Sequence, residues 1–372
     1  MTLRSPVTGS ALTPDTPHSV AAADGERWPV ADGIPYLRAG SEARAAEALS
    51  ALDAGDEAAA LATLLAENDP WWDEAPPPRE ALTAVAREAD ALSLRAVMDR
   101  LGWGRVGTYF AHRWSDPTYL AGLTLLNAHW TTPRSAFELA CGIGHYLAAL
   151  ARAGVPNLTG ADVVFGKVWV AKRWVCPEAR YLCFDADAPW PVTPEADLML
   201  CTDAFYFLRE KAAVAERLRA ARGIYAVAHV HNARAATYSS GAAATAADLA
   251  ALFPDATLFD DARLTTAGAA GTTPSGYAAN GHEPEAFSLI GGPGLAAARP
   301  GPLLTPPDGA ALTRNPLLTQ DGIAWPSERY EDEYGSIATY GRRVGVPKTA
   351  VMAADLAPLV RSRDLLELPK RW

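Results

Sequence analysis

Two clusters of residues carry chemistry in this 372-residue sequence. The first is FELACGIGHYL, residues 137–147, where an apolar run meets the acid Glu138 and then Ala140, Cys141, Gly142 and Gly144 before a helix-like segment. Glycines at a strand-to-helix turn let the chain bend tightly and let a ligand lie against bare main chain. The helix start beyond them offers free N–H groups to a polar ligand. Asp162 in LTGADVV and Asp185 in YLCFDADAPW end the next two apolar runs. Carboxylates at successive strand ends suit a ligand with a diol and an exocyclic amine. The second cluster is AVAHVHN, residues 226–232. His229 and His231 are two apart, on one face of a regular strand, and an imidazole titrates where proton removal at neutral pH needs it. Asp203, in DLMLCTDAFYFL, ends the preceding strand. Two histidines with one carboxylate also compose a metal-binding set. A hydrogen-bonded filler role is the third reading of the pair.

Taken in order, these motifs resemble class I S-adenosylmethionine-dependent methyltransferases over about residues 134–292. In that family an acid ends strand one, here Glu138, and a Gly-rich turn follows, here with Ala140 in place of the usual first glycine. An acid ending strand two bonds the ribose hydroxyls, matched by Asp162, and a polar site near the adenine follows strand three, matched by Asp185. An acid-containing apolar stretch after strand four is matched around Asp203. The resemblance implies S-adenosyl-L-methionine as cofactor, held by Glu138, Ala140, Cys141, Gly142, Gly144, Asp162, Asp185 and Asp203, with no metal. It implies methyl transfer to oxygen or nitrogen of a small-molecule acceptor, with His229, His231 and Asp203 as candidate catalytic residues. A dinucleotide-binding turn is the rival on the same fold, but Leu147 stands where its third glycine belongs. A non-catalytic cofactor-binding or regulatory module and a metal-assisted enzyme are the alternatives in function.

The elements that must position these residues follow from the pattern. From Ser135, short apolar runs alternate with helix-like segments, which predicts an α/β domain whose parallel sheet has helices on both faces. With the resemblance, this is a Rossmann-like methyltransferase sheet over residues 134–292. Residues 26–133 read as a hairpin around Asp32-Gly33 and a helical domain with apolar residues three or four apart, interrupted at WWDEAPPP, residues 71–78. Residues 1–25, rich in Pro, Thr and Ser without the apolar core of a secretory signal, read as a flexible tail. Residues 293–372 read as an irregular C-terminal extension packing on the core. TYFAHRWSDPTYL, residues 108–120, reads as helix packing, GHEPEAF, residues 281–287, as a solvated loop, and WPSERYEDEY, residues 325–334, as a packed surface segment.

Charge and composition narrow the partners. Forty-three acids against 33 bases, a net charge of −10, disfavour nucleic acid and anionic membrane, so RNA methylation ranks below a small-molecule acceptor. No apolar run reaches the ~18 residues of a membrane span. Cys141, Cys176, Cys183 and Cys201 form no CxxC pair and read as reduced, buried residues of a cytoplasmic protein. The oligomeric state is left open by the sequence.

Overall fold

The computed structural model describes residues 2–68, 75–236, 241–279 and 281–372. Its first segment corrects the expectation of a flexible tail. Leu3–Arg4 (β1), Ala11–Thr16 (β2), Ser19–Ala21 (β3), Arg27–Ala31 (β4) and Ile34–Pro35 (β5) form a five-stranded antiparallel sheet in sequential order. Leu12, Val20 and Trp28 are buried. The polar residues that gave a disordered composition pair across the strands instead. Arg27 bonds Asp15 at 2.7 Å, and Ser19 bonds the same carboxylate at 3.0 Å. The expected hairpin joins β4 to β5, with both turn residues left-handed, Asp32 at φ 48° and Gly33 at φ 68°.

Helices follow at Glu42–Asp53 (α1), Glu57–Leu65 (α2), Arg79–Glu88 (α3), Leu94–Arg100 (α4), Gly104–His112 (α5) and Pro117–Ala128 (α6). Asp56 caps α2 and Ser93 caps α4 through their side-chain oxygens. Of the WWDEAPPP interruption, residues 71–74 lie outside the described residues; α3 starts directly after its third proline. Every residue of α6 is buried, because the helix lies against the central sheet on one side and a later helix on the other.

The central sheet holds Ser135–Leu139 (β6), Asn157–Asp162 (β7), Arg180–Cys183 (β8), Leu198–Thr202 (β9), Ile224–His231 (β10), Thr257–Asp260 (β11) and Ala286–Gly291 (β12). Between them lie His145–Arg152 (α7), Phe165–Val170 (α8), Lys211–Arg219 (α9), Ala246–Leu252 (α10) and Asp261–Ala270 (α11). The strand order is β11-β12-β10-β9-β6-β7-β8. From β6 the chain runs outward through β7 and β8, then returns to β9 on the other side, so the order reverses between β6 and β9. Ligands of open α/β sheets bind at such a reversal, beyond the carboxyl ends of the strands. Right-handed crossovers in opposite directions put α7 and α8 on one face and α9 on the other.

The sheet is mixed rather than wholly parallel, because β12 runs antiparallel to both β10 and β11. An antiparallel strand starts at the edge where its parallel neighbours end. The residues just before β12 therefore arrive at the ligand edge.

Beyond the sheet, Ala311–Arg314 (β13), Glu328–Tyr334 (α12), Thr349–Val351 (β14), Ala357–Arg361 (α13) and Leu365–Leu366 (β15) give the C-terminal part more regular structure than its proline and glycine content predicts. One hydrophobic cluster runs from Leu12 through the sheet to Leu303, Leu304 and Leu366. All four cysteines are free and buried. Among the described residues, no helix is long and apolar enough to cross a membrane.

Candidate active site

A cavity of about 940 Å3 opens at the carboxyl edge of the sheet, beside the reversal point. It stands near the upper end of the ~300–1,000 Å3 of ordinary ligand pockets. Ala140, Cys141, Gly142, Asp162 and Asp185 line one end of it, and Asp203, Tyr206 and His231 line the other. Helix α5 and helix α12 close over it, with Tyr109 and Phe110 from the first, Arg113 just past its end, and Tyr330, Glu333 and Tyr334 from the second.

The first end is built largely from backbone. Asp162 accepts the Gly142 N–H at 2.9 Å and the Val164 N–H at 3.0 Å, with Lys167 Nζ at 3.7 Å. Asp185 accepts the Asp187 N–H at 2.9 Å. At Gly142, φ 54°, a Cβ would meet the Phe110 ring at 3.0 Å, so the bare main chain lets that ring pack against the turn. Gly144 departs from the expected role. It caps α7 in a left-handed conformation, and its absent Cβ faces Tyr181 at 3.1 Å and Ala171 at 3.3 Å, inside the fold. Its small size serves packing rather than ligand approach.

Glu138 also departs from direct cofactor contact. It is buried beneath the cavity, which it does not line, and accepts the Thr202 hydroxyl at 2.8 Å. Its other carboxyl oxygen has no hydrogen-bond partner. Burial, working against the Thr202 bond, raises its pKa to about 8, so the group stays protonated at neutral pH. His145 lines the cavity with its ring against Trp114 and its Nε2 on the Phe110 carbonyl at 3.0 Å. Burial and the Arg113 charge lower its pKa to about 3, leaving a neutral ring that shapes the wall.

The second end is built from side chains. Asp203 takes the Tyr109 hydroxyl and Arg113 Nη2, at 3.2 Å, on one oxygen, and the Tyr206 hydroxyl at 2.7 Å on the other. Burial alone would raise its pKa, but Arg113, His229 and the two tyrosines together hold it below the usual carboxylate range. Asp203 lines the cavity while both of its oxygens hold neighbouring side chains, which orders this wall.

His229 is likewise held between carboxylates. Its Nδ1 lies 2.9 Å from Asp261 and its Nε2 3.9 Å from Asp203. Burial would lower its pKa, but Asp203 and Asp261 outweigh that and push it to about 9. An imidazole already carrying its second proton cannot serve as a base at neutral pH. His229 does not line the cavity, whereas His231 does. The strand is irregular here, with a register shift between Val227 and Val230 and His229 at φ 55°. The two rings still meet, centroids 4.7 Å apart.

His231 sits between the Tyr206 ring, 4.6 Å away, and Glu285, whose carboxylate receives Nδ1 at 2.7 Å. With Nδ1 on Glu285, Nε2 is the ring nitrogen left for another partner. Glu285 reaches this point because His231 pairs in register with Ala286 at the start of β12. Asn232 fixes the same turn, bonding the Pro284 carbonyl at 2.8 Å and Glu283 at 3.1 Å. A divalent ion could also be held here. Atoms of His229, His231 and Glu285, rather than of the expected His229, His231 and Asp203, lie within 4.8 Å of one another. Such an ion would have to displace the proton that two acids hold on His229 and break the His231–Glu285 bond.

Several functional residues escaped the sequence: Arg113 and Tyr109, read as helix packing; Glu285, in a stretch read as a solvated loop; and Tyr330 and Glu333, read as packed surface. Tyr109 and Arg113 are four apart in sequence, the spacing that puts both on one side of a helical turn. Ala140 and Asp203, both at φ 52° just past β6 and β9, join His229 as left-handed non-glycine residues around the cavity. Strain of that kind concentrates at functional sites.

No family model matches the sequence, and no curated protein matches it. Among solved structures the chain is similar to a methyltransferase of Thermotoga maritima, described as SAM-dependent and a possible histamine N-methyltransferase. Identity there is 11%, TM-score 0.36, with 52% of this chain and 95% of that chain covered. It is similar to the plantazolicin methyltransferase BpumL, in complex with a desmethylPZN analog and SAH, at 14% identity and TM-score 0.37, covering 55% of this chain and 96% of that one. Phosphoethanolamine N-methyltransferase 2 of Haemonchus contortus, in complex with S-adenosyl-L-methionine, is similar at 16% identity and TM-score 0.36, with 45% and 46% covered.

Proposed function

We propose that this chain is an S-adenosylmethionine-dependent methyltransferase acting on oxygen or nitrogen of a small molecule, with His231 as the base. The observation that carries the reading is one cavity lined by Asp162 and Asp185 at one end and by His231 at the other. The cofactor fits the first end by its chemistry. Each carboxylate oxygen of Asp162 accepts one backbone N–H and keeps capacity for ribose hydroxyls. Asp185 is an acceptor for an adenine amine, and the Gly142 turn lines the cavity with bare main chain.

S-adenosyl-L-methionine supplies an electrophilic methyl group when bound. The chain's own residues do the rest. His231 Nε2 takes the proton that the acceptor releases as its bond to the methyl carbon forms, and Glu285 stabilises the resulting imidazolium through Nδ1. Asp203, held by Arg113 and His229, orients the hydroxyls of Tyr109 and Tyr206 around the acceptor, and α5 and α12 exclude water.

Calorimetry with S-adenosylmethionine, and methyl transfer from the labelled donor to a panel of phenols and amines, test this. Asp162→Ala is expected to weaken donor binding about tenfold or more, since each lost hydrogen bond is worth roughly 1 kcal/mol. His231→Ala is expected to keep donor binding and lose on the order of 100-fold in turnover. Unchanged donor binding in the first variant would sink the cofactor assignment, and full turnover in the second would remove the base.

A further inference from the structure

Four tyrosine hydroxyl hydrogens around the acceptor end of the cavity are already committed. Tyr109 and Tyr206 donate to Asp203, Tyr330 donates to Asp116, and Tyr146 donates to the Tyr119 carbonyl. A tyrosine whose proton is held by a carboxylate can offer a ligand only its oxygen lone pairs and its ring face. The cation nearest them is committed too. Arg113, almost fully buried, lies 3.2 Å from Asp203 and 3.5 Å from Asp116. These groups therefore offer a ligand acceptors, while Arg105, Arg209 and Arg329 line other parts of the same cavity.

Glu333 adds a formal charge to it. It lines the cavity between Tyr330 and Tyr334, whose rings stand at 65° with centroids 4.7 Å apart. Its side chain is about a quarter exposed, and its ion pair with Arg329 is long, at 3.8 Å. Exposed pairs of this kind are worth little, so the carboxylate can exchange that partner for a ligand. Two tyrosine faces at an angle beside a carboxylate form the kind of setting that holds an alkylammonium group through cation–π and ionic attraction.

Resting on the methyltransferase reading, we propose that the acceptor carries an ammonium group, seated against Glu333, Tyr330 and Tyr334 at the α12 wall, and that Glu333 sets this specificity. A molecule ending in a carboxylate would meet the Glu333 charge and the lone pairs of the committed tyrosines at this wall, which disfavours it there.

The test uses the full chain and two probes, tyramine and phloretate, which share a ring and chain and end in an ammonium and a carboxylate respectively. Dissociation constants are measured by calorimetry with and without saturating S-adenosylhomocysteine, in the parent and in Glu333→Gln, a partly exposed position where the fold tolerates an isostere. Tyramine is expected to bind about tenfold or more tighter than phloretate in the parent, with most of that preference lost in Glu333→Gln. Equal affinities, a preference for phloretate, no binding of either probe, or a tyramine preference untouched by Glu333→Gln would each overturn the proposal. The S-adenosylhomocysteine titration separates the two claims. If that compound fails to bind while the Glu333-dependent preference for tyramine persists, the ammonium site stands and the donor reading falls.

Discussion

The two ends of the cavity are made in different ways. The end at β6, β7 and β8 takes its ligand groups from one stretch of chain, and its carboxylates are served by backbone N–H groups of neighbouring turns. Asp162 reaches back only to Gly142 and forward to Val164. The end at β9 and β10 is assembled from five separate segments. Tyr109 comes from α5 and Arg113 from just past its end, Asp203 from just past β9, Asp261 from α11, Glu285 from just before β12 and Tyr330 from α12. There the charges answer one another side chain to side chain, and all of these partners but the exposed Glu285 are buried or partly buried. The first design fixes a ligand shape with local turns. The second holds a set of coupled protonation states that depends on the whole fold being closed.

That difference is sharpest at Arg113, which gives the largest expected effect. It is the shared counter-charge of Asp203 and Asp116. Breaking a buried ion network on one side typically costs about 3–5 kcal/mol, because the remaining charge is left without a partner. Arg113→Met keeps the bulk and removes the charge, and it is expected to lower stability by that amount in denaturant unfolding. Asp162→Ala, at the backbone-built end, should cost distinctly less stability. Similar losses in the two variants would erase the distinction between the ends.

The same difference explains what could be read from the sequence. Ala140, Cys141, Gly142, Asp162 and Asp185 line the cavity as the strand–turn–helix rhythm implied, since local motifs fix their positions relative to the sheet edge. Glu138 and Gly144 belong to the same motif, yet burial turned one into a protonated support and the other into a packing residue. No periodicity encodes that, because it depends on Thr202 and Tyr181 from distant strands. His229 and His231 were indistinguishable in AVAHVHN. Which one is pinned between acids follows from Asp261 and Glu285, 32 and 54 residues further on. The antiparallel course of β12 was hidden as well, because AFSLIGG is fully buried and carries no mark of direction. The N-terminal strands were missed for a related reason. Their polar residues pair with one another, and composition counts such residues as solvated.

A pH experiment compares the ends at intermediate scale. Burial raises Glu138 to about 8. The folded chain thus keeps a proton that the unfolded chain has released above the usual carboxylate range, and stability falls as pH rises from about 5 to 8. Asp116, raised to about 7 by burial against the pull of Arg113, acts with the same sign over a lower window. His229, at about 9, contributes stability that is complete below its unperturbed ~6.5 and lost as pH rises through 9. The melting temperature is therefore expected to fall from pH 5 to 9. Glu138→Gln should remove the part of that decline lying between about 5 and 8, on the order of a few degrees, and leave the His229 part above it. A variant with the parent's full slope would show that Glu138 ionises freely in the folded chain.

The smallest effect isolates backbone strain at the first end. Ala140 holds φ 52° just past β6, where a left-handed conformation costs an L-residue roughly 1–2 kcal/mol. Glycine adopts it freely but loses about 0.5–1 kcal/mol through its greater freedom in the unfolded chain. The two terms nearly cancel, and Ala140→Gly is expected to gain less than about 1 kcal/mol, seen as a small rise in melting temperature. The matching residue at the other end, Asp203, shares the same φ but cannot be tested this way, because glycine there would also remove the carboxylate that Arg113, Tyr109 and Tyr206 hold. Ala140 is thus the position where strain is separable from charge. Donor affinity should be unchanged or slightly improved, since Ala140 lines the cavity and glycine widens it. A clear loss of stability in Ala140→Gly would mean that the methyl group's packing outweighs the strain, and that the backbone-built end also depends on side-chain contacts.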